Sequence, residues 1–389
     1  MRHAMARHSP VCLRDTLADR LHKRTWAEIL PGNIRHNYNS IRAAIPARCK
    51  FLGVVKADAY GHGAEAVASV LQECGADYLA VACIDEAIAL REAGIVLPIL
   101  ILGYTSPEYT TDLIKYDITQ SVADLETATG YSQAAAAAGK ELKIHIKLDT
   151  GMSRLGFQAA NEAEVEDAAA ACSLPCLRHE GIFTHFAVSD VLDDESRSFT
   201  LKQYELFVST INTLRDKYGI SFTIRHCANS GAVVNYPEMA LDMVRPGLLL
   251  YGYGDNTGRL NLKPCMRFVT TVSAVKTYGP GVSISYGRRF TTECESKIAV
   301  LAAGYADGLP RAASGRVSFH TEKGPLPQVG TICMDMCMAD ASAAPSLEAG
   351  DEVELFGENC SLESLAEAAG TITYELLCGV AKRVPRIYR

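Results

Sequence analysis

Short apolar runs alternate with segments of helical period from Trp26 to about Gly254, and this alternation restricts the fold more than any other feature. Residues 51–55, 78–82, 98–102, a stretch near Ile118, 142–148, 181–185, 223–226 and 244–250 read as strands. Residues 64–74, 85–93, an alanine-rich segment ending near Ala138, 161–171 and 198–217 read as the intervening helices. Ile34, Tyr38, Ile41 and Ile45 mark a further helix ahead of them. Strands separated by helices and short connections form a parallel sheet with right-handed crossovers. About eight such strands over roughly 230 residues fit a (β/α)8 TIM-type barrel better than an open sheet.

After about Asn261 strand-like stretches dominate: 266–276, 297–302, 316–320, 328–333 and 351–356. A single helix is expected near 361–369, with Ser361 as a plausible cap. The expected organisation is therefore a flexible N-terminal tail at 1–24, an α/β barrel at 25–260, and a mostly-β domain at 261–389. The tail carries several arginines but no secretory apolar core.

A net charge of −7 argues against nucleic-acid binding through a broad basic face. No apolar run approaches the roughly 18 residues of a membrane span. The 13 cysteines are scattered without a CxxC, which reads as reduced thiols in a cytoplasmic protein and gives no metal site.

Barrel chemistry gathers at the C-terminal ends of the strands. The first strand ends in Val55-Lys56, followed by Ala57-Asp58-Ala59-Tyr60-Gly61-His62-Gly63. A lysine there either snorkels to solvent or, if buried, loses its proton and can form a Schiff base. Strand alternation puts His145, Lys147 and Asp149 on one face, as a space-filling ion pair or as a site. The loop after it delivers Arg154. Ser230, at a strand-to-helix junction, and Arg245-Pro246-Gly247-Leu248 sit where barrels commonly bind phosphate. Simple helix capping is the alternative for Ser230. In the β region, Tyr286 beside Gly287 matters only if something carries it to the barrel mouth, and Asp335 in a methionine-rich strand needs a hydrogen-bond partner.

Taken together and in order from about Arg24 to the C-terminus, these motifs resemble the alanine racemase family of pyridoxal-phosphate-dependent barrel enzymes. Val55-Lys56-Ala57-Asp58-Ala59-Tyr60, Lys147-Leu148-Asp149-Thr150-Gly151 with Arg154, Thr184-His185-Phe186, Ala228-Asn229-Ser230, Arg245-Pro246-Gly247, Ser285-Tyr286-Gly287, Tyr305-Ala306-Asp307-Gly308, Met334-Asp335 and Arg383-Val384-Pro385-Arg386 carry the resemblance. It implies interconversion of L- and D-alanine, supplying D-alanine for peptidoglycan, in a homodimer with shared sites. It implies that Lys56 holds pyridoxal 5′-phosphate and acts as the base on one face, and that Tyr286 acts on the other face from the partner subunit. Tyr60, Ser230, Gly247, Leu248 and Tyr374 would surround the phosphate. Arg245, steadied by His185, would face the ring nitrogen. Arg154 would lie near the cofactor's phenolic oxygen and the substrate carboxylate, held by a carbamylated Lys147. Met334 and Asp335 would meet the carboxylate, while Tyr305 and Arg311 would line the entrance.

Racemisation needs the Cα proton removed from one face and supplied to the other, so two acid/base groups must flank the carbon. Ser153 and Met336 depart from the family's usual residues near the site. A serine or broad-specificity racemase of the same fold is the first competing reading. A related barrel decarboxylase lacks support, because its cysteine–aspartate pair is not seen. A single-barrel cofactor carrier would not need a second domain bearing Tyr286.

Overall fold

The computed structural model describes residues 24–389, so the expected flexible tail lies outside the described residues apart from Arg24. The chain divides into two compact units. One comprises Ile29–Met266 with Thr371–Val380; the other comprises the described residues up to Glu28 with Arg267–Gly370 and Ala381–Arg389.

The first unit is the expected parallel barrel. Strands β2 (Lys50–Val54), β3 (Tyr78–Val81), β4 (Ile99–Ile101), β5 (Ile118–Val122), β6 (Leu142–Asp149), β8 (Leu177–Phe183), β9 (Ile224–His226) and β10 (Met243–Val244) run in spatial order β10-β2-β3-β4-β5-β6-β8-β9. A two-residue strand, β7 (Phe157–Gln158), pairs beside β6. Two bonds draw the ends together: Asp242 N donates to Arg225 O at 3.1 Å and Arg245 N to Ala228 O at 2.9 Å. The strands are buried on both faces, as a helix-covered parallel sheet requires.

The helices follow the caps the sequence supplies. Asn161 accepts from Ala163 N and Asp193 from Ser196 N, which start helices Glu162–Ser173 and Asp194–Tyr218. The last expected strand, 244–250, is shorter than read. It stops at Val244 because Pro246 has no N–H to continue the ladder, and Leu248–Tyr251 forms a 3-10 turn instead. That turn ends at Gly252, φ +96°, whose missing side chain leaves room for the Lys263 carbonyl. Gly252→Ala should destabilise by more than about 1 kcal/mol, read as a lower denaturant midpoint at unchanged slope.

The second unit is one eight-stranded sheet with a separate two-stranded ribbon, β12 (Ser283–Ile284) with β13 (Phe290–Thr291). Its order places β1 (Thr25–Ile29) between β11 (Met266–Tyr278) and β19 (Arg386–Tyr388). The sequence boundary at residue 25 therefore shifts, since Thr25–Glu28 belong to this sheet. Thr25 Oγ1 donates to Ala302 O at 2.6 Å, and Glu28 takes ion pairs from Arg267 (3.1 Å) and Arg389 (3.0 Å). The far boundary shifts too. Helix Thr373–Gly379, not foreseen in the sequence, belongs with the barrel. The expected helix near Ser361 forms as Leu362–Ala369, with the Ser361 hydroxyl accepting from Ser364 N at 3.1 Å. All 12 described cysteines are free thiols. Among the described residues no helix is long and apolar enough to cross a membrane, and no cluster could hold a metal ion.

Candidate active site

The barrel unit encloses a cavity of about 630 Å³, lined among others by Lys56, Tyr60, Lys147, Arg154, His185, Ser230, Arg245, Gly247 and Tyr374. These nine residues stand far apart in sequence, and the barrel brings all of them to one space.

Lys56 opens this site at the end of β2. The four residues after it, Ala57 to Tyr60, all have φ between 51° and 54°, a left-handed turn built without glycine. Such geometry costs on the order of 1–2 kcal/mol per residue. Polar contacts hold it in place: Glu86 Oε1 accepts from Ala57 N at 2.6 Å, and Asp58 Oδ1 from Ala64 N at 2.8 Å. The Tyr60 ring packs edge-on to Tyr251 and Tyr374, with centroids 4.9 and 5.7 Å away. The turn thus returns Tyr60 to the cavity that Lys56 also lines. Backbone strain of this kind is typical of sites where position matters more than stability. Burial, then the positive charge of Arg154, lowers the Lys56 amine below its ordinary pKa, which raises the neutral, nucleophilic fraction.

At the cavity floor Arg245 is buried and held by the backbone. Its Nη1 donates to His226 O at 3.0 Å; its Nη2 donates to Thr184 O at 2.7 Å and Cys227 O at 3.1 Å. His185 Nδ1 lies 3.4 Å away, a weaker contact than the steadying role the sequence suggested. The closer imidazole is His226, whose Nδ1 is 3.0 Å from Arg245 Nη1. Arginine can only donate, so His226 accepts at Nδ1 and carries its proton on Nε2. That proton points to His145 Nδ1 at 2.9 Å, which leaves the His145 proton on Nε2, 3.7 Å from Glu180 Oε2. Burial first, and Arg245 second, keep His226 neutral, its pKa well below normal. Burial pushes Arg245 down to about 10, so it stays charged near neutrality. Sequence reading missed His145 and His226 as members of this chain. The signal was two histidines on buried strands, but only the barrel's register shows that they meet.

Lys147 points into the same space. No carboxylate lies within 4.0 Å of its amine among the described residues, so the alternative of a Lys147–Asp149 ion pair does not form. Instead Nζ donates to Leu148 O at 2.9 Å and lies 5.2 Å from the Phe183 ring centroid. Burial, then Arg245, brings its pKa down to about 7. Asp149 Oδ1 accepts from Gly151 N (2.9 Å) and Ser153 N (3.0 Å), shaping the loop that carries Arg154.

The opposite wall is rich in hydroxyls and glycine. Ser230 begins a short helix capped by Asn229, and its Oγ accepts from Gly247 N at 2.9 Å. A side chain on Gly247 would come 2.7 Å from Tyr60 Oη, and one on Gly231 would come 2.8 Å from Asp190 N. Both glycines let the wall pack closely, Gly247 against Tyr60 and Gly231 against the Ser189–Asp190 backbone. Leu248, expected at this end, is buried and not part of the cavity lining. Tyr374 comes from the helix the sequence did not reveal.

The remaining expected residues lie in the second unit. Tyr286 occupies a turn after β12 and is 72% exposed. Tyr305, Met334 and Asp335 share paired loops: Tyr305 N donates to Cys333 O and Ala306 N to Met334 O, both at 3.0 Å. Asp335 lies in a loop, not in the strand the sequence suggested, and accepts from Arg383 Nη2 at 2.7 Å. Arg383 also pairs with Asp307, as does Arg24, so the residue assigned to a flexible tail clamps these loops. Arg311 opens a 3-10 turn nearby in sequence.

The comparisons with known proteins agree with this geometry. Residues 29–255 match the family model "Alanine racemase, N-terminal domain" and residues 265–388 match "Alanine racemase, C-terminal domain". "Alanine racemase 1" of Clostridium acetobutylicum is 44% identical over 371 residues, covering 93% of this chain and 95% of that protein. The solved alanine racemase of Clostridium difficile 630 is 39% identical, with a TM-score of 0.87 over 95% of this chain and 96% of that one. The structure of alanine racemase from D-cycloserine-producing Streptomyces lavendulae gives 0.89 at 36% identity, over 95% and 98%. With both halves matched by the family's models, the chain belongs to the alanine racemase family.

Proposed function

We propose that this chain interconverts L- and D-alanine using pyridoxal phosphate, as a homodimer in the cytoplasm, with D-alanine for peptidoglycan as its product. The observation that carries the reading is one cavity holding a lysine whose pKa burial lowers, a charged arginine floor and a wall of hydroxyls.

The donor set fits the cofactor. Lys56 offers an amine to its aldehyde carbon. The hydroxyls of Tyr60, Ser230 and Tyr374, with the N–H groups opening the Ser230 helix, suit a phosphate, and Gly231 and Gly247 line the same cavity. When bound, pyridoxal phosphate acidifies the substrate Cα by drawing its electrons toward the ring.

The chain's residues do the rest. Lys56 Nζ takes or returns the Cα proton on its face, and Tyr286 Oη of the partner subunit does so on the other. Arg154 orients the carboxylate. Arg245 keeps its own proton, because its neighbours are carbonyls and a neutral imidazole. It therefore limits charge flow into the ring and keeps the reaction at Cα.

A chiral assay with L-alanine, L-serine and L-lysine supplied separately tests the reading. Racemisation of alanine far faster than of the others is expected. Comparable rates would overturn the specificity, and none at all with cofactor bound would overturn the reaction.

Lys147 adds a second expected outcome. An amine with a pKa of about 7, buried among cations, gains from becoming an anion. Its lone pair attacks carbon dioxide, the N–C bond forms, and an N–H proton leaves to solvent. The carbamate so formed would attract Arg154 where the ammonium repels it. A carbamate signal is expected by 13C NMR with labelled bicarbonate, fading as pH falls through 7 because protonation removes the lone pair. Its absence at pH 8 would refute this.

A further inference from the structure

The Tyr286 side chain is largely exposed in this chain, yet the backbone of its turn is fixed from both sides. Ser285, directly before it, has φ 66° and ψ −177°, a region that side chains other than glycine's rarely enter. Gly287 follows at φ 72° and Arg288 at φ 50°. Two hydroxyls brace this strained turn against the segment after β16 (Gly324–Val329). Ser285 Oγ donates to Thr331 O at 2.6 Å, and Thr331 Oγ1 donates to Tyr286 O at 2.8 Å. The two segments are pressed so close that a side chain on Gly330, itself at φ +69°, would meet Ile284 O at 2.8 Å and Ser285 Cβ at 2.9 Å. Thr331 is 2% exposed, so its bond is shielded from water.

We infer that Thr331 and Ser285 are positioning residues for Tyr286, through this reciprocal pair of hydroxyl-to-carbonyl bonds. The inference rests on the reading of Tyr286 as a base. Where the phenol lies depends on what holds its backbone, which within its own chain is this brace. Remove one hydroxyl and the strained turn relaxes toward ordinary φ, swinging the phenol from its line. The same segment continues to Met334 and Asp335, so the brace also ties the base to the loop expected to meet the substrate carboxylate. A displacement of about 1 Å can cost around a hundredfold in rate.

The proton balance supplies the test. In racemisation one base takes the Cα proton, the C–H electron pair stays with the substrate, and the opposite base delivers another proton. If Tyr286 is misplaced, Lys56 still removes the proton on its own face. Its amine then carries that proton among solvent-derived ones and can return deuterium to the same face. Thr331→Val holoenzyme in D2O should therefore exchange the α-proton of one alanine enantiomer at least about tenfold faster than it racemises it. The parent should show no such excess, and Thr331→Ser, which keeps the hydroxyl, should restore its ratio. Ser285→Ala should shift the ratio in the same direction and serves if Thr331→Val does not fold. Exchange and racemisation falling by the same factor, or parent-like behaviour of both variants, would overturn the inference. Tyr286→Phe separates the two levels. If it racemises at the parent rate, the base reading itself fails. If it exchanges without racemising while both hydroxyl variants behave like the parent, only the brace fails.

Discussion

Replacing Lys56 with alanine should abolish racemisation, with a loss of about 10³-fold or more, and should remove the cofactor's covalent absorbance band. No other amine can take over. Lys147, the other lysine lining the cavity, is fixed to the Leu148 carbonyl and set over Phe183. Arg154 cannot give up a proton to become a nucleophile. The left-handed turn after Lys56 does not depend on the lysine side chain; it rests on Glu86, Asp58 and the packing of Tyr60. Lys56→Ala should therefore fold like the parent and still take up cofactor reversibly. Absorbance titration with pyridoxal phosphate and a melting curve would show this. A residual rate within tenfold of the parent would remove Lys56 from the chemistry.

The second large effect is expected at Arg245. Arg245→Glu replaces a donor that keeps its proton with a group that accepts one. His226 now gives up its acceptor role, because a carboxylate draws a proton onto Nδ1, and the direction of the bonds to His145 reverses. Charge then flows more readily into a bound cofactor's ring, so protonation away from Cα should increase. Pyruvate formed per racemisation event should rise by about tenfold or more, while racemisation slows by about a hundredfold. Unchanged side-product would mean that the arginine does not govern the partition. Stability should fall as well. The Thr184 and Cys227 carbonyls lose the arginine as donor while His226 O keeps the Thr184 N–H, at about 1–3 kcal/mol for each one left unsatisfied, and a new charge is buried. A lower melting temperature with the fold retained is the expected reading.

The barrel was legible because its strands are short buried apolar runs separated by helices, several of them capped by their own side chains. Ser361 caps where the sequence placed it, the helix expected from 161 begins at Glu162 after its cap Asn161, and Ala64–Cys74 runs between the bounds the periodicity set. What stayed hidden was long-range. Nothing local tells that Thr25–Ile29 pairs with a strand some 240 residues later, or that Thr373–Gly379 leaves the β-rich segment to wall the barrel cavity. The strand expected at 328–333 failed for a different reason. β16 stops at Val329, because Gly330 takes a positive φ and packs closely against Ile284 and Ser285. At the site, a lysine after an apolar run was visible as unusual, but its burial was not. The His226–His145 chain depends on the register of β6, β8 and β9, which places β6 and β9 on either side of β8.

The order in which the ribosome delivers these parts has a consequence. Residues 29–266 emerge first and hold every strand of the barrel, but the helix that brings Tyr374 and Ile372 to its cavity is made more than a hundred residues later. The β sheet likewise cannot complete β1's pairing until β19, the last strand, leaves the ribosome. During synthesis the barrel therefore stands with one wall of its cavity open. A chain stopped before residue 371 would carry Lys56 and Arg245 in a cup without its last side. Completion of the site is thereby tied to completion of the polypeptide, and a truncated product would have the fold of a barrel without a finished place to work.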